Sequence, residues 1–461
     1  MLYHNIVKFY IVLGEKMYKI NGQIVSDTIS FADFNKFNEQ EVCIKGYVHR
    51  IREMTGFSFV IIRTARDTIQ CVYAPEFSDY RWDERLCEEA CVKVKGKVVS
   101  SKDAKGNDRF ELQIHDIEIL SLPSESLPIV INKKQLDNIQ LSTVLDLRPI
   151  AMRNPKERAI FKIQEGIARG FREYLMQNGF TEIRSPKINY AGAEGGTNVF
   201  KLDYFGKQVY LAQAPQLYKQ AMVGVYERVF EIAPVFRAEH HDTSRHLNEY
   251  TSMDLEMGFI NGFEDIMNTE VGVLKYIMNL LKTEYAEEVA LCHVDIPEIT
   301  EIPVMKFMDA KELLMTKFKY KPSDMKDFDP QEEELLGKYA KKELGSDFIF
   351  ITHYPSKKRP FYTMDDPADP EYTLSFDLLF RGLEITSGGQ RIHDYKQQVE
   401  KMIKLGTNPE EFETYLMLHK YGAPPHGGLG LGLERLTMHL LGAKNVRETT
   451  MFPRDINRVT P

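Results

Sequence analysis

The chain has 461 residues, 27% of them charged and 43% hydrophobic, with a formal net charge of -8. That length allows two or three domains with cores of normal size, and the acidic balance excludes a general nucleic-acid coat while leaving room for local basic patches. Five scattered cysteines (Cys43, Cys71, Cys87, Cys91, Cys292) read as reduced cytosolic thiols rather than a zinc site, and no apolar run approaches the ~18 residues of a membrane span.

In chain order, residues 1–38 are expected to form an N-terminal leader. Its "FYIVLG" is shorter than a signal-peptide core and meets Glu15 and Lys16 soon after, and Met17 is an alternative start that would leave residues 1–16 as a disordered leader. Residues 39–121 predict an all-β domain from "EVCIKGYVHRIR", "FSFVIIR", "DTIQCVY", "ACVKVKGKVV" and "RFELQIHDIEIL". Val92, Val94 and Val98 alternate, as do Phe110, Leu112 and Ile114, and "SSKDAKGND" supplies a turn. Five short strands fit a small barrel of the OB type, with a small sandwich as the plainer alternative. Pro123, Pro128, Pro149 and weak periodicity predict a hinge or linker over 122–153.

Residues 154–461 open with a helical pattern, Ile160, Ile163, Ile167, Phe171 and Leu175, stopped by Asn178-Gly179. Strand-like runs follow ("KQVYLAQA", "RVFEIAPVFRA", "TSMDLEMGFI", "LSFDLLFRGLEITSG") with helices between them. The charged block at about 262–345 predicts a helical insertion. No internal repeat is visible, which excludes a solenoid.

Three stretches carry chemistry. "PVFRAEHHDTSRHLNEYTSMDLEM" (234–257) predicts two strands joined by a charged loop, where Arg237 and His246 can grip a polyphosphate. Neighbouring His240, His241, Asp242 and His246 do not converge as metal ligands do. "FDLLFRGLEITSGGQRIHD" (376–394) places Asp377 and Glu384 as hard oxygen ligands for Mg²⁺, with Arg391 after a Ser-Gly-Gly turn. Ser387, His393 and Asp394 lack the G-x-S-x-G setting of a hydrolase. "HGGLGLGLERL" (426–436) has G-x-G-x-G spacing and too little chain after it for a dinucleotide domain.

"GFTEIRSP", "FRAE…H…E" and "GLGLGLERL", in that order, resemble the three signature motifs of class II aminoacyl-tRNA synthetases. "AGAEGGTNVF", "LAQAPQLYKQ", "RPFYTMDDP", "SGGQRIHD" and "FPRDINRVTP" narrow the likeness to the aspartyl-tRNA synthetases of eukaryotic and archaeal kind, from about residue 41 to the end. The resemblance implies an α+β architecture: an N-terminal five-stranded OB-fold barrel that reads the anticodon, plus a catalytic domain with a mainly antiparallel sheet flanked by helices. It also implies a cytoplasmic homodimer, with Pro186 in the dimer-forming first motif, and partners L-aspartate, ATP, Mg²⁺ and tRNA(Asp).

By the same resemblance, Arg237, Arg435 and Glu384 are catalytic. ATP falls to Arg237, Glu239, His246, Tyr250, Glu384, Gly432 and Arg435, with adenine between Tyr250 and Arg435. Aspartate falls to Glu194, Gln216, Lys219, Asp254, Ser387 and Arg391, and Mg²⁺ to Asp377, Glu384 and Ser387. Arg52, Phe59 and Gln70 fall where the family contacts the anticodon, although Phe59 beside Val60 and Ile61 would otherwise read as core. Tyr250 and Ala214 stand where the family usually has Phe and Ser. The implied reaction joins the aspartate carboxylate to the α-phosphate of ATP, then passes the aspartyl group to the tRNA 3′-hydroxyl.

Aspartate and asparagine are nearly isosteric, so the expected filter is charge, supplied by Lys219 and Arg391. Those cations speak against an asparaginyl enzyme, and the barrel speaks against a tRNA-independent asparagine synthetase. The intact set Arg237, Glu239, Glu384 and Arg435 speaks against an inactive RNA-binding paralogue.

Overall fold

The computed structural model describes residues 22, 28–102, 108–133, 136, 138–190 and 198–461. The chain separates into two compact units, 1–132 and 133–461.

The first unit is a closed five-stranded barrel: β1 (Glu41–Met54), β2 (Phe57–Arg63), β3 (Thr68–Tyr73), β4 (Cys91–Lys102) and β5 (Asp108–Ser121), in the order β1-β2-β3-β5-β4. Successive strand residues point to opposite faces, so Ile44, Val48, Val60, Ile62, Val92, Val94 and Leu112 turn inward together. Each fully buried side chain of this kind contributes about 1.5–3 kcal/mol. Closure leaves no free edge, and the sandwich alternative falls away. The barrel claims part of the expected leader: Phe34, in a short 3₁₀ turn (Phe31–Phe37), packs into its core, and Ile29 N–H donates to the Cys43 carbonyl. The expected disordered leader 1–16 and most of the "SSKDAKGND" turn lie outside the described residues.

The second unit begins with two short helices, α1 (Leu141–Asp146) and α2 (Arg148–Ala151), where the sequence predicts a linker. Buried Arg148 explains the difference: it donates to the carbonyls of Glu448, Thr450 and Met451 at 3.0–3.1 Å, tying this segment to the C-terminal end of the chain. Helix α3 (Pro155–Gln177) is capped by Asn154 and ends at Asn178, with Gly179 at φ 79°.

Then come β6 (Thr181–Glu182), β7 (Ile188–Asn189), β8 (Lys201–Tyr204), β9 (Lys207–Leu211), α4 (Gln216–Tyr226), β10 (Arg228–Phe236), β11 (Glu249–Gly258), α5 (Glu264–Glu284) and α6 (Ala286–Leu291). The chain continues through β12 (Val304–Lys306), α7 (Phe307–Thr316), α8 (Pro330–Glu343), β13 (Phe348–Thr352), β14 (Ser375–Phe380), β15 (Leu383–Gln390), α9 (Tyr395–Lys404) and α10 (Glu413–Lys420). It closes with β16 (His426–Gly432) and α11 (Leu433–Leu441).

Eight strands form one sheet in the order β12-β13-β14-β15-β16-β11-β10-β6, antiparallel except at its two outer pairs. Met253 and Leu255 of β11 face a core built with Ile163, Ile167 and Phe171 of α3 and Ile266, Ile277 and Leu281 of α5. The block predicted as an insertion is therefore integral: α5 fills the main core, and β12 pairs in register with β13. "LSFDLLFRGLEITSG" is a hairpin rather than one run, because Arg381 and Gly382 turn at φ 49° and 81°.

Candidate active site

Alternation along β11 sends Ser252, Asp254 and Glu256 to the face opposite the core, where they meet α4 and the end of β15. Buried Lys219 donates to Asp254 Oδ1 at 2.9 Å and to the Leu429 carbonyl at 2.8 Å, with Glu256 at 3.4 Å. Arg391 Nε donates to Glu256 at 2.9 Å, and Nη2 reaches the Gly428 carbonyl at 2.9 Å and Gln216 at 3.5 Å. Two cations and two carboxylates thus interlock. Burial favours the neutral acid, yet Arg391 and Lys219 more than offset it and hold Glu256 below its usual pKa. Glu256, which sequence reasoning passed over, signals itself by standing two residues after Asp254 on the same strand face.

The glycine-rich strand makes this cluster possible. β16 lies between β11 and β15, and a Cβ on Gly428 would collide with the Leu255 carbonyl and the Glu256 carboxylate. The expected Ser-Gly-Gly turn is itself strand: Ser387, Gly388 and Gly389 pair with Asp377, Phe376 and Ser375 of β14 and with β16 on the other side.

A cavity of about 810 Å³ opens beside the cluster. Among its walls are Gln216, Lys219, Arg237, Glu239, His246, Tyr250, Asp254, Glu384, Ser387, Arg391, Gly432 and Arg435. Arg237 leaves the end of β10 and lies 5.6 Å over the Tyr250 ring, with Glu239 at 3.8 Å. Asn248 fastens the loop between β10 and β11 by donating to the carbonyls of Arg237 and Glu239. His246 lies 3.8 Å from Glu239, and burial lowers its pKa despite that carboxylate. Arg435, on the first turn of α11, donates to the Glu384 carbonyl at 3.1 Å. Arg245, Lys357, Lys358 and Arg359 add further cations to the same cavity.

Asp377 and Ser387 face one another across β14 and β15, and Arg359 bridges them: Nη2 to Asp377 at 2.7 Å, Nη1 to Ser387 Oγ at 2.9 Å. Burial and the Asp377 charge both raise the Glu384 pKa. Glu333 of α8 accepts a hydrogen bond from Arg245, and burial, then Glu384, pushes it up to about 7. Sequence reasoning missed both Arg359 and Glu333; the "RPFYTMDDP" stretch was the available signal for the first. Among the described residues no group of three or more His, Cys, Asp or Glu converges on a metal, and Asp242 is instead paired with Arg447 at 2.8 Å. Asp377 and Glu384 still fit Mg²⁺, which needs only one or two carboxylates plus phosphate oxygens, and buried Asp377 Oδ1 has no hydrogen-bond partner among the described residues. Asp394 caps α9 rather than serving a triad. Pro186 is exposed after β6, and Glu194 lies outside the described residues.

On the barrel, Arg52 pairs with Phe59 across β1 and β2, and Gln70 pairs with Ile61 across β2 and β3. Inward Val60 and Ile62 leave Phe59 and Ile61 on the outer face, so Arg52, Phe59 and Gln70 share one surface. Gln70 donates to Glu111 at 2.6 Å.

Comparison with known proteins gives this geometry its family. Residues 140–456 match the family described as tRNA synthetases class II (D, K and N), and residues 42–120 match the OB-fold nucleic acid binding domain. The chain belongs to the class II tRNA synthetases, in their D, K and N branch. Within it, the chain is 46% identical over 428 residues to the aspartate–tRNA(Asp/Asn) ligase of Deinococcus radiodurans, spanning 92% of this chain and 96% of that one. It is 40% identical over 432 residues to the aspartate–tRNA(Asp) ligase of Pyrococcus furiosus, spanning 92% and 97%. Asparaginyl-tRNA synthetase from Pyrococcus horikoshii, solved with asparaginyl-adenylate, superposes with a TM-score of 0.84 at 30% identity over 92% of this chain and 97% of that one.

Proposed function

We propose that the chain is an aspartate–tRNA ligase, which joins L-aspartate and ATP to aspartyl-adenylate and pyrophosphate and then loads the aspartyl group on the 3′-hydroxyl of tRNA(Asp). The observation that carries the choice of amino acid is Arg391. Among the described residues its bonds run through Nε and Nη2, which leaves Nη1 for a ligand at the cavity wall, beside Lys219. A carboxylate accepts from both cations; an amide turns its NH₂ toward donors and leaves one unpaired in a buried setting, at about 1–3 kcal/mol or more. Names of the relatives at 40–46% identity support the same reading.

Catalysis on this reading is positioning and charge stabilisation. Arg237 holds the α-phosphate as charge builds there, Glu239 reads the adenine amino group, and Tyr250 with Arg435 encloses the ring. His246 and Arg435 reach the γ-phosphate side, and the backbone at Gly432 leaves room for the nucleotide. Gln216, Asp254, Ser387 and Glu194 complete the amino-acid end. Asp377, Glu384 and Ser387 would hold Mg²⁺, which when bound neutralises phosphate oxygens. Arg52, Phe59 and Gln70 would meet unpaired anticodon bases by stacking and edge contacts. A homodimer through α3 and the segment of Pro186 would cover exposed Ile188 and Tyr190. Among the described residues no helix is long and apolar enough to cross a membrane.

The Deinococcus relative's name favours a second reading on the tRNA side, acceptance of tRNA(Asn) as well. Charging of tRNA(Asp) and tRNA(Asn) transcripts with labelled aspartate tests both. The proposal expects aspartate on tRNA(Asp); label on tRNA(Asn) too would establish the broader reading. Label on neither, from folded protein, would refute both.

A further inference from the structure

Arg359 stands where a divalent cation is expected. Its two terminal nitrogens bond Asp377 and Ser387, the oxygens of opposite strands that the proposed function assigns to Mg²⁺. The guanidinium stacks 4.0 Å over the Tyr354 ring, while buried Arg359 Nε and Asp377 Oδ1 have no hydrogen-bond partner among the described residues. Fork geometry suits this seat: a planar guanidinium spans two oxygens at once and keeps its charge at every accessible pH. A guanidinium and a metal ion compete here, for Ser387 Oγ directly and across the Asp377 carboxylate through repulsion between two cations a few ångströms apart in a half-dry site.

We propose that Arg359 is a positioning residue that occupies the cation site in the unloaded enzyme, holds Asp377 and Ser387 in place, and gives them up when a divalent cation binds. The displaced guanidinium then keeps its Tyr354 platform and faces the cavity beside Lys357 and Lys358, where phosphate oxygens are its natural partners. Exchange of one cation for another keeps the two buried strand positions compensated throughout. It also couples cation loading to phosphate capture. The inference rests on the ligase reading for the nucleotide, but the cation exchange is measurable without it.

The test is Mn²⁺ titration of the full chain without nucleotide, read from the electron-paramagnetic signal of free Mn²⁺. Arg359→Gln removes the competing charge and is expected to bind one Mn²⁺ about tenfold more tightly than wild type, the equivalent of one charge-assisted hydrogen bond forgone. Arg359→Lys, a point charge that cannot fork, falls between them. Adding Asp377→Asn to Arg359→Gln abolishes the gain. Equal or weaker Mn²⁺ binding by Arg359→Gln, or a gain that survives Asp377→Asn, would overturn the proposal. Should Arg359→Gln not fold, Arg359→Lys decides, because it too must bind more tightly than wild type. Wild-type ATP–pyrophosphate exchange with aspartate separates the two levels: its absence alongside the Mn²⁺ gain sinks the ligase reading and leaves the exchange of cations standing.

Discussion

Arg391 and Lys219 act as a pair only because Glu256 and Asp254 keep both charges compensated before any ligand arrives. Replacing either cation by an apolar residue would strand a buried carboxylate and cost about 3–5 kcal/mol, mixing folding with function. Arg391→Lys avoids this: the charge stays near Glu256 while the second donor arm is lost. It is expected to lower kcat/KM for aspartate about 100-fold while leaving the KM for ATP near wild type, in steady-state ATP–pyrophosphate exchange. An equal loss for both substrates would assign Arg391 to general architecture. The family resemblance, not residue type or spacing, pointed to Lys219, Asp254 and Arg391 position by position. It offered nothing on which oxygen each cation meets, and so left Glu256 and Arg359 without a role. Partnership between distant side chains is decided by strand register, which a linear pattern does not contain.

The helix beneath the site carries its own signature in pH. Glu270 on α5 is fully buried, and burial, helped by the nearby Asp377 charge, outweighs the Thr386 hydroxyl beside it and pushes its carboxyl up from an ordinary 4.5 to about 8. Between those values the folded protein binds a proton that the unfolded chain has lost, so this group makes stability fall as pH rises through the window. Glu270→Gln mimics the neutral acid and does not titrate. It should match wild type near pH 4.5 and exceed it near pH 8.5 by several kcal/mol, on the order that this shift sets. Chemical denaturation at both pH values measures it; a variant less stable at pH 8.5 would show that Glu270 is needed charged. The same helix shows why element boundaries were harder to read than strands. Its apolar stripe (Ile266, Val273, Ile277, Leu281) fills the main core, but the charges of the wider 262–345 block dominate its composition and suggest an insertion. The five barrel strands were legible because alternation of period two survives any composition.

At the scale of the molecule, two units divide the work. The barrel offers Arg52, Phe59 and Gln70 on one surface, and the larger unit holds the whole cavity. Phe59→Ala should therefore leave ATP–pyrophosphate exchange unchanged while cutting kcat/KM for tRNA by about 10- to 100-fold, the worth of one stacked base. A matching loss in exchange would place Phe59 in the fold rather than at the anticodon. The central claim concerns the larger unit alone: a buried cluster selects a carboxylate over its amide. It is tested most directly by ATP–pyrophosphate exchange of the purified chain with aspartate and asparagine offered separately at equal concentration. Exchange with aspartate and none above background with asparagine is the predicted result. Exchange driven by asparagine would contradict the account, because the Lys219 and Arg391 pair would then be accepting an amide.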